Sequence, residues 1–187
     1  MFDRYKKCND KLMSEGIKSK IRSIPDWPKR GIIYRDITTL LKDPEAMKHT
    51  CTLLRQHFEK KDFDKIAGIE SRGFIFSSIL AHQLSKGLII IRKLGKLPAD
   101  TISEKYKLEY GTDTLEIHKD AVDSGDNVVL VDDLLATGGT MHAACRLVEK
   151  LGGRVAGCAF VVELPELRGR EMLKNYEIFN LVEFGGA

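Results

Sequence analysis

The apolar positions of the chain fall into two patterns. Residues 65–70 (KIAGIE), 87–92 (GLIIIR), 128–131 (VVLV), 154–164 (RVAGCAFVVEL) and 178–184 (IFNLVEF) are short runs, rich in apolar residues, with little polar alternation. Such runs predict strands buried on both faces, as in a parallel sheet. Between them the spacing becomes helical. Met141, Ala144, Cys145, Val148 and Leu151 share one face, and Gly152 and Gly153 end it as a left-handed C-cap does. Residues 74–85 predict a helix between the first two strands. Asp43 as N-cap, with Pro44 at the first helical position, starts another. Its buried side is Met47, Thr50, Leu54 and Phe58, and His49 and His57 lie outside that stripe, toward solvent.

The remaining segments are less regular. Residues 1–24 read as a helical arm with a weak apolar stripe of Leu12, Met13 and Ile17, a packing or dimer-contact element. Pro25, Asp26 and Pro28 then break the chain and open a Pro/Gly-rich loop up to residue 37. Residues 102–110 and 113–118 alternate around Gly111, which predicts an exposed hairpin whose tip serves as a flexible lid. Strand–helix–strand units that cross over right-handed make the fold class α/β. The expected architecture is a doubly wound, mainly parallel central sheet flanked by helices, one domain over residues 1–187 with a hood at 25–37 and a lid hairpin at 94–118.

Composition narrows the classes. A chain of 187 residues, 43% hydrophobic, suits one domain that buries about 70% of its unfolded surface. A net charge of +3 is modest: it does not argue for nucleic acid, none of which is expected as a partner, and it does not oppose small anionic substrates. Cys8, Cys51, Cys145 and Cys158 show no C-x-x-C spacing and read as reduced thiols of a cytoplasmic protein. No H-E-x-x-H suggests a zinc site, no apolar run reaches the length of a membrane span, and the first residues are too polar for a signal peptide.

The chemistry concentrates after residue 131. Asp132 and Asp133 stand at the carboxyl end of a buried strand, where open α/β sheets bind ligands. Ala136, Thr137, Gly138, Gly139 and Thr140 then lead into a helix. A helix N-terminus aims unpaired N–H groups at one point and favours an anion there. The glycines let backbone approach that anion and the threonines add hydroxyl donors. Paired acceptor carboxylates beside a phosphate cradle suit the two hydroxyls of a ribose, so a ribose 5-phosphate site follows. The segment lacks the lysine of a nucleotide-triphosphatase loop and the G-x-G-x-x-G of a dinucleotide site. Ser71-Arg72-Gly73 is a second loop opening a helix, and reads either as an anion site or as a plain turn with a surface arginine. Arg92, Lys93 and Lys96 form a cation cluster at a strand end, and Tyr34 is either ordinary packing or a platform for a flat ring.

The run V-V-L-V-D-D-L-L-A-T-G-G-T resembles the phosphoribosyl-pyrophosphate (PRPP) motif of type I phosphoribosyltransferases, and from about Ser23 onward the chain most resembles the adenine-using members. W-P-K-R-G-I-I-Y-R-D-I is similar to their base-binding hood, E-S-R-G to the pyrophosphate loop, and R-K-L-G-K-L-P to a second pyrophosphate segment. Y-K-L-E-Y-G is similar to their lid signature, and L-P-E-L-R-G-R to an L-x-x-L-x-G-R segment. The resemblance implies that PRPP and adenine give AMP and pyrophosphate. Ile33 and Arg35 would hold adenine through main-chain groups while Tyr34 stacks on it. Ser71, Arg72, Arg92, Lys93, Lys96 and Tyr110 would meet pyrophosphate, and Asp132, Asp133 and residues 136–140 the ribose and 5-phosphate. Glu109 would be the catalytic carboxylate. Mg²⁺ would be held mainly by PRPP and water rather than directly by protein. Arg92 would reach a neighbour's site in a homodimer.

Three positions depart from the pattern. Tyr34 and Trp27 stand where the family usually has Phe, and Leu94 where many members carry a basic residue. Ala136 stands where hypoxanthine–guanine enzymes carry an aspartate acting toward purine N7, which favours adenine and shifts any carboxylate role to Glu109. The other readings are a phosphoribosyltransferase for xanthine or orotate, and a non-catalytic PRPP-sensing regulator of the same fold. Such regulators usually add a DNA-binding module and lose loop residues that are complete here.

Overall fold

The computed structural model describes residues 15–107 and 111–186. Residues 15–19 are helical, and Ile17 and Ile21 bury themselves in the core. The chain then forms β1 (Arg22–Pro25), which pairs antiparallel with β2 (Ile33–Asp36), Ile24 opposite Tyr34. The structure departs from expectation at two points. The helical arm does not continue to residue 24, and the hood is a two-stranded ribbon rather than an irregular loop. A strand this short has no legible period, and cross-strand pairing overrides local propensity. The rest of the predicted arm, with Cys8, Leu12 and Met13, lies outside the described residues.

Helices α1 (Thr38–Leu41) and α2 (Pro44–Phe58) follow. The Asp43 carboxylate accepts from the Glu45 and Ala46 amides at 3.2 and 3.1 Å, an N-cap as expected. Thr50, Cys51, Leu54 and Phe58 are buried. His57 is not on a solvated face: its ring stacks on Phe179, centroids 3.7 Å apart, and burial lowers its pKa. The helical period could not show this, because Phe179 comes from the last strand of the chain.

The main sheet is built from β3 (Lys65–Ile69), β4 (Gly87–Lys93), β5 (Thr101–Lys107), β6 (Thr112–His118), β7 (Asn127–Leu135), β8 (Arg154–Glu163) and β9 (Ile178–Glu183). Their order is β5-β6-β4-β3-β7-β8-β9, with β4, β3, β7, β8 and β9 parallel. Helix α3 (Gly73–Leu84) joins β3 to β4, and α4 (Gly139–Lys150) joins β7 to β8. A 3-10 turn (Pro165–Leu167) and α5 (Gly169–Met172) lead toward β9. Strand alternation divides the interior into two cores. Val129 and Val131 pack on the face that holds Phe76 and Leu80 of α3; Val128 and Leu130 pack on the face that holds Met141, Cys145 and Val148 of α4.

The hairpin β5–β6 also departs from expectation. Its strands pair as predicted, but β6 continues the main sheet through Arg92↔Glu116 and Lys93↔Leu115, and α4 packs over both strands. Leu115, Glu116 and Ile117 are buried. The hairpin is therefore the antiparallel edge of the sheet, and its described part is not a free lid. Residues 108–110 at its tip, with Glu109 and Tyr110, lie outside the described residues.

Candidate active site

Strand β7 outlasts its neighbour. Pairing with β3 ends at Gly68↔Val131, while pairing with β8 continues to Leu135↔Glu163. Asp132 and Asp133 thus lie where one side of β7 has lost its partner, inside the strand rather than after it. Asp132 Oδ1 accepts from the Asp133 amide at 2.9 Å. Gly73, the first residue of α3, presses on the same place: a Cβ there would fall 2.9 Å from Asp132 Oδ1 and 2.7 Å from the Val131 carbonyl. Burial raises the Asp132 pKa well above the usual carboxylate range, and the Asp133 charge adds to the effect. Burial also raises Asp133, with Arg72 pulling it back. Two carboxylates held this way store unfavourable free energy that a ligand hydroxyl or cation can relieve.

The cradle follows directly. Gly138 is left-handed at φ +83° and caps α4, and Gly139 and Thr140 form its first turn. Asp132, Ala136, Thr137, Gly138, Gly139 and Thr140 line a cavity of 270 Å³. Its shape depends on the L-P-E-L-R-G-R segment, whose resemblance carried no role. A Cβ on Gly138 would fall 2.6 Å from the Gly169 carbonyl, and one on Gly169 would fall 2.3 Å from the Ala136 carbonyl. Arg170 holds that segment in place with a fork on buried Glu163, both bonds 2.7 Å, and a third bond to Asn180 at 2.6 Å.

One guanidinium ties three predicted parts together. Arg72, at the N-cap of α3, donates to the Tyr34 hydroxyl and places Nε 2.8 Å from Asp133 Oδ2. Trp27 meets the Tyr34 ring edge-on at 4.4 Å. Ser71 is exposed beside Arg72 in the same turn. Ile33, Tyr34 and Arg35 all lie in β2; the Arg35 side chain turns away to Ser23 and to the carbonyls of Gly185 and Gly186.

The cation cluster is organised by a carboxylate that sequence reasoning left without a role. Glu70 binds Arg92 Nε at 3.2 Å, the Lys93 amide at 3.1 Å, and the Lys96 ammonium. Burial alone would raise its pKa; Lys96, Arg92 and the Lys93 amide outweigh that and hold it at about 2. Glu116 fixes the same turn by accepting from the Lys96 and Leu97 amides at 3.0 and 3.1 Å. Arg92 also donates to the Lys96 carbonyl at 3.0 Å, and Lys93 Nζ lies 3.1 Å from Asp113. The signals for Glu70 were its place at a strand end and its position in the E-S-R-G run.

A glycine–hydroxyl cradle beside two buried carboxylates, with a cation cluster gathered on Glu70 at a neighbouring strand end, is a geometry that suits a phosphorylated sugar with a second anionic group. The chain belongs to the phosphoribosyl transferase domain family, whose model matches residues 36–186. An adenine phosphoribosyltransferase of Chlorobium phaeobacteroides is 56% identical over 174 residues, 91% of this chain and 98% of that one. The adenine phosphoribosyltransferase structure from Thermoanaerobacter pseudethanolicus is 53% identical, covers 91% of this chain and 99% of its own, and superposes with a TM-score of 0.89. That of Saccharomyces cerevisiae, complexed with an imino-altritol bisphosphate and adenine, is 36% identical, covers 91% and 99%, and has a TM-score of 0.87.

Proposed function

We propose that this chain transfers the 5-phosphoribosyl group of PRPP to adenine, giving AMP and pyrophosphate in purine salvage. The observation that carries the reading is the link from Tyr34 through Arg72 to Asp133, which joins the hood to the ribose end of the cradle in a chain so similar to adenine phosphoribosyltransferases. The cradle at 136–140 takes the 5-phosphate through backbone N–H groups and the hydroxyls of Thr137 and Thr140. Asp132 and Asp133 accept from the ribose hydroxyls. Ser71, Arg72, Arg92, Lys93, Lys96 and Tyr110 meet the pyrophosphate. Ile33 and Arg35 read the adenine edge through their main chain, and Tyr34 covers its face.

As the C1–O bond breaks, negative charge grows on pyrophosphate and positive charge on the ribose ring. Preorganised cations and carboxylates on the two sides stabilise both. Glu109 manages the adenine proton near the ring. Among the described residues no group of three or more ligating side chains could hold a metal. The hard oxygens of Asp132 and Asp133 fit Mg²⁺ carried by the diphosphate, a metal that takes few protein ligands. When bound, Mg²⁺ supplies charge neutralisation on the leaving group.

We also propose a homodimer. Leu88, Ile90 and Arg92 share the less buried side of β4, and with Pro98 and His118 they line a second cavity of 360 Å³.

The test of the reaction is turnover of PRPP with adenine, hypoxanthine, guanine, xanthine and orotate. Adenine should lead in kcat/KM by about 100-fold or more. Comparable turnover of another base would overturn the assignment, and PRPP binding without turnover of any base would favour the regulator.

A further inference from the structure

The hood pairs with no strand of the main sheet among the described residues. A two-stranded ribbon is marginal by itself, so what fixes it must be side chains. Asp36 secures one end, accepting from Arg22 and from the Thr38 amide and hydroxyl at 2.9 Å each. Two side chains attach the middle of the ribbon, Tyr34, which Arg72 bonds, and Arg35. Arg35 is a buried residue, 8% exposed, and its side chain donates to Ser23 at 2.5 Å on β1, to the Gly185 carbonyl at 2.6 Å and to the Gly186 carbonyl at 3.2 Å. The guanidinium lies 4.5 Å over the Phe184 ring. Phe184 is itself bound to the sheet, its amide donating to the Glu163 carbonyl at 3.0 Å. Glu166 closes the arrangement by accepting from the Gly186 amide at 2.8 Å. Gly186, left-handed at φ +73°, rests against Ile33: a Cβ there would fall 3.8 Å from Ile33 Cδ1.

We propose that the Arg35 side chain and residues 184–186, held by Glu166, form a clamp that sets the height of the β2 main chain over the base site. Arg35, through its side chain, and Phe184 and Glu166 are then positioning residues for the base. This rests on the adenine reading above. The physical basis is that main-chain recognition has no rotamers to adjust: a shift of the strand moves every donor and acceptor together. A desolvated guanidinium with several carbonyl and hydroxyl acceptors is a stiff tie. The bonds of Arg35 run to β1 and to residues 184–186, while β2 meets the PRPP side through Tyr34 and Arg72, so loss of the clamp should weaken the base more than PRPP.

The experiment compares the parent with Arg35→Lys, Glu166→Ala and Glu166→Gln. Steady-state kinetics give KM for adenine and kcat, calorimetry gives PRPP affinity, thermal melting reports folding, and amide exchange is followed over residues 32–36. Arg35→Lys keeps charge and main chain but loses the fork, and should raise KM for adenine about tenfold. kcat and PRPP affinity should stay within about twofold, less than the loss of one hydrogen bond would give, and exchange in the ribbon should quicken. Glu166→Ala should shift KM in the same direction by a smaller factor, and Glu166→Gln, which keeps an acceptor, should restore it. The Glu166 pair decides the matter if Arg35→Lys does not fold. Folded variants with parental KM for adenine and parental exchange overturn the clamp. If the parent itself turns over no adenine, the base assignment fails instead. Exchange then judges the clamp alone: faster in Arg35→Lys or Glu166→Ala supports it, and unchanged overturns it.

Discussion

Asp132 shows how a single residue can be built for ligand rather than for stability. It is held beside Asp133 with its pKa raised by burial and by that neighbour, an arrangement that costs folding free energy until something binds. Asp132→Asn keeps the Oδ1 acceptor for the Asp133 amide and removes a charge. We expect Tm of the unliganded protein to rise by about 2–4 °C while PRPP binding weakens by about 10- to 100-fold. A lower Tm with intact PRPP affinity would contradict this. For Glu109 the expectation concerns rate. Glu109→Gln should lower kcat by about 10²–10⁴-fold with PRPP binding nearly intact, since positioned acid–base groups contribute on that order. A kcat within about threefold of the parent falls well short of that range and would make it a solvated hairpin residue. The lining of the cavity was legible residue by residue, because Asp132, Thr137, Gly138 and Thr140 fall within one short stretch and their chemistry is local. Glu70, Glu116, Gly169 and the Arg35 side chain were not. Each acts on backbone distant in sequence, and no spacing rule reports that.

At the scale of elements, the buried parallel strands were legible because burial on both faces leaves an unbroken apolar run. Short strands and edges were harder. β1 was hidden in a helical reading, and β6 looked solvent-exposed since its alternation resembles that of any half-buried strand, while only two residue pairs join it to β4. Where it joins, Glu70 and Glu116 hold the turn between β4 and β5. Glu70 carries a pH signature. Its pKa falls from 4.5 to about 2 on folding, so its contribution is complete above pH 4.5 and is lost as pH falls toward 2. Asp132 and Asp133 shift the other way, so the comparison must be between variants. The stability gap between the parent and Glu70→Gln, from denaturant titrations, should be constant above pH 5 (roughly half a unit beyond the unfolded value) and narrow below it. A gap unchanged down to the acid limit of folding would refute the assignment.

The whole molecule is a sheet with two different edges. One is closed by the β5–β6 hairpin; beside it β4 keeps Leu88 39% exposed and the following turn keeps Leu94 62% exposed, next to Arg92. Apolar exposure beside a site cation is what a shared interface would cover. If the homodimer is correct, sedimentation at assay concentration should show a two-fold assembly, and dilution should lose activity together with the dimer. A fully active monomer would exclude a trans role for Arg92.

The contact between Gly138 and Gly169 also has a meaning in time. A chain is made from its N-terminus, so residues 132–140 leave the ribosome before the glycine that shapes them. While residue 169 is still inside the exit tunnel, the emerging polypeptide has the residues of the cradle and no fitted pocket. Substrate then has nothing to grip, and early protection of the newborn chain must come from the sheet alone. Only once the segment around Gly169 has docked can PRPP act as a folding ligand, which places any rescue of weakened variants by substrate late in synthesis or after it.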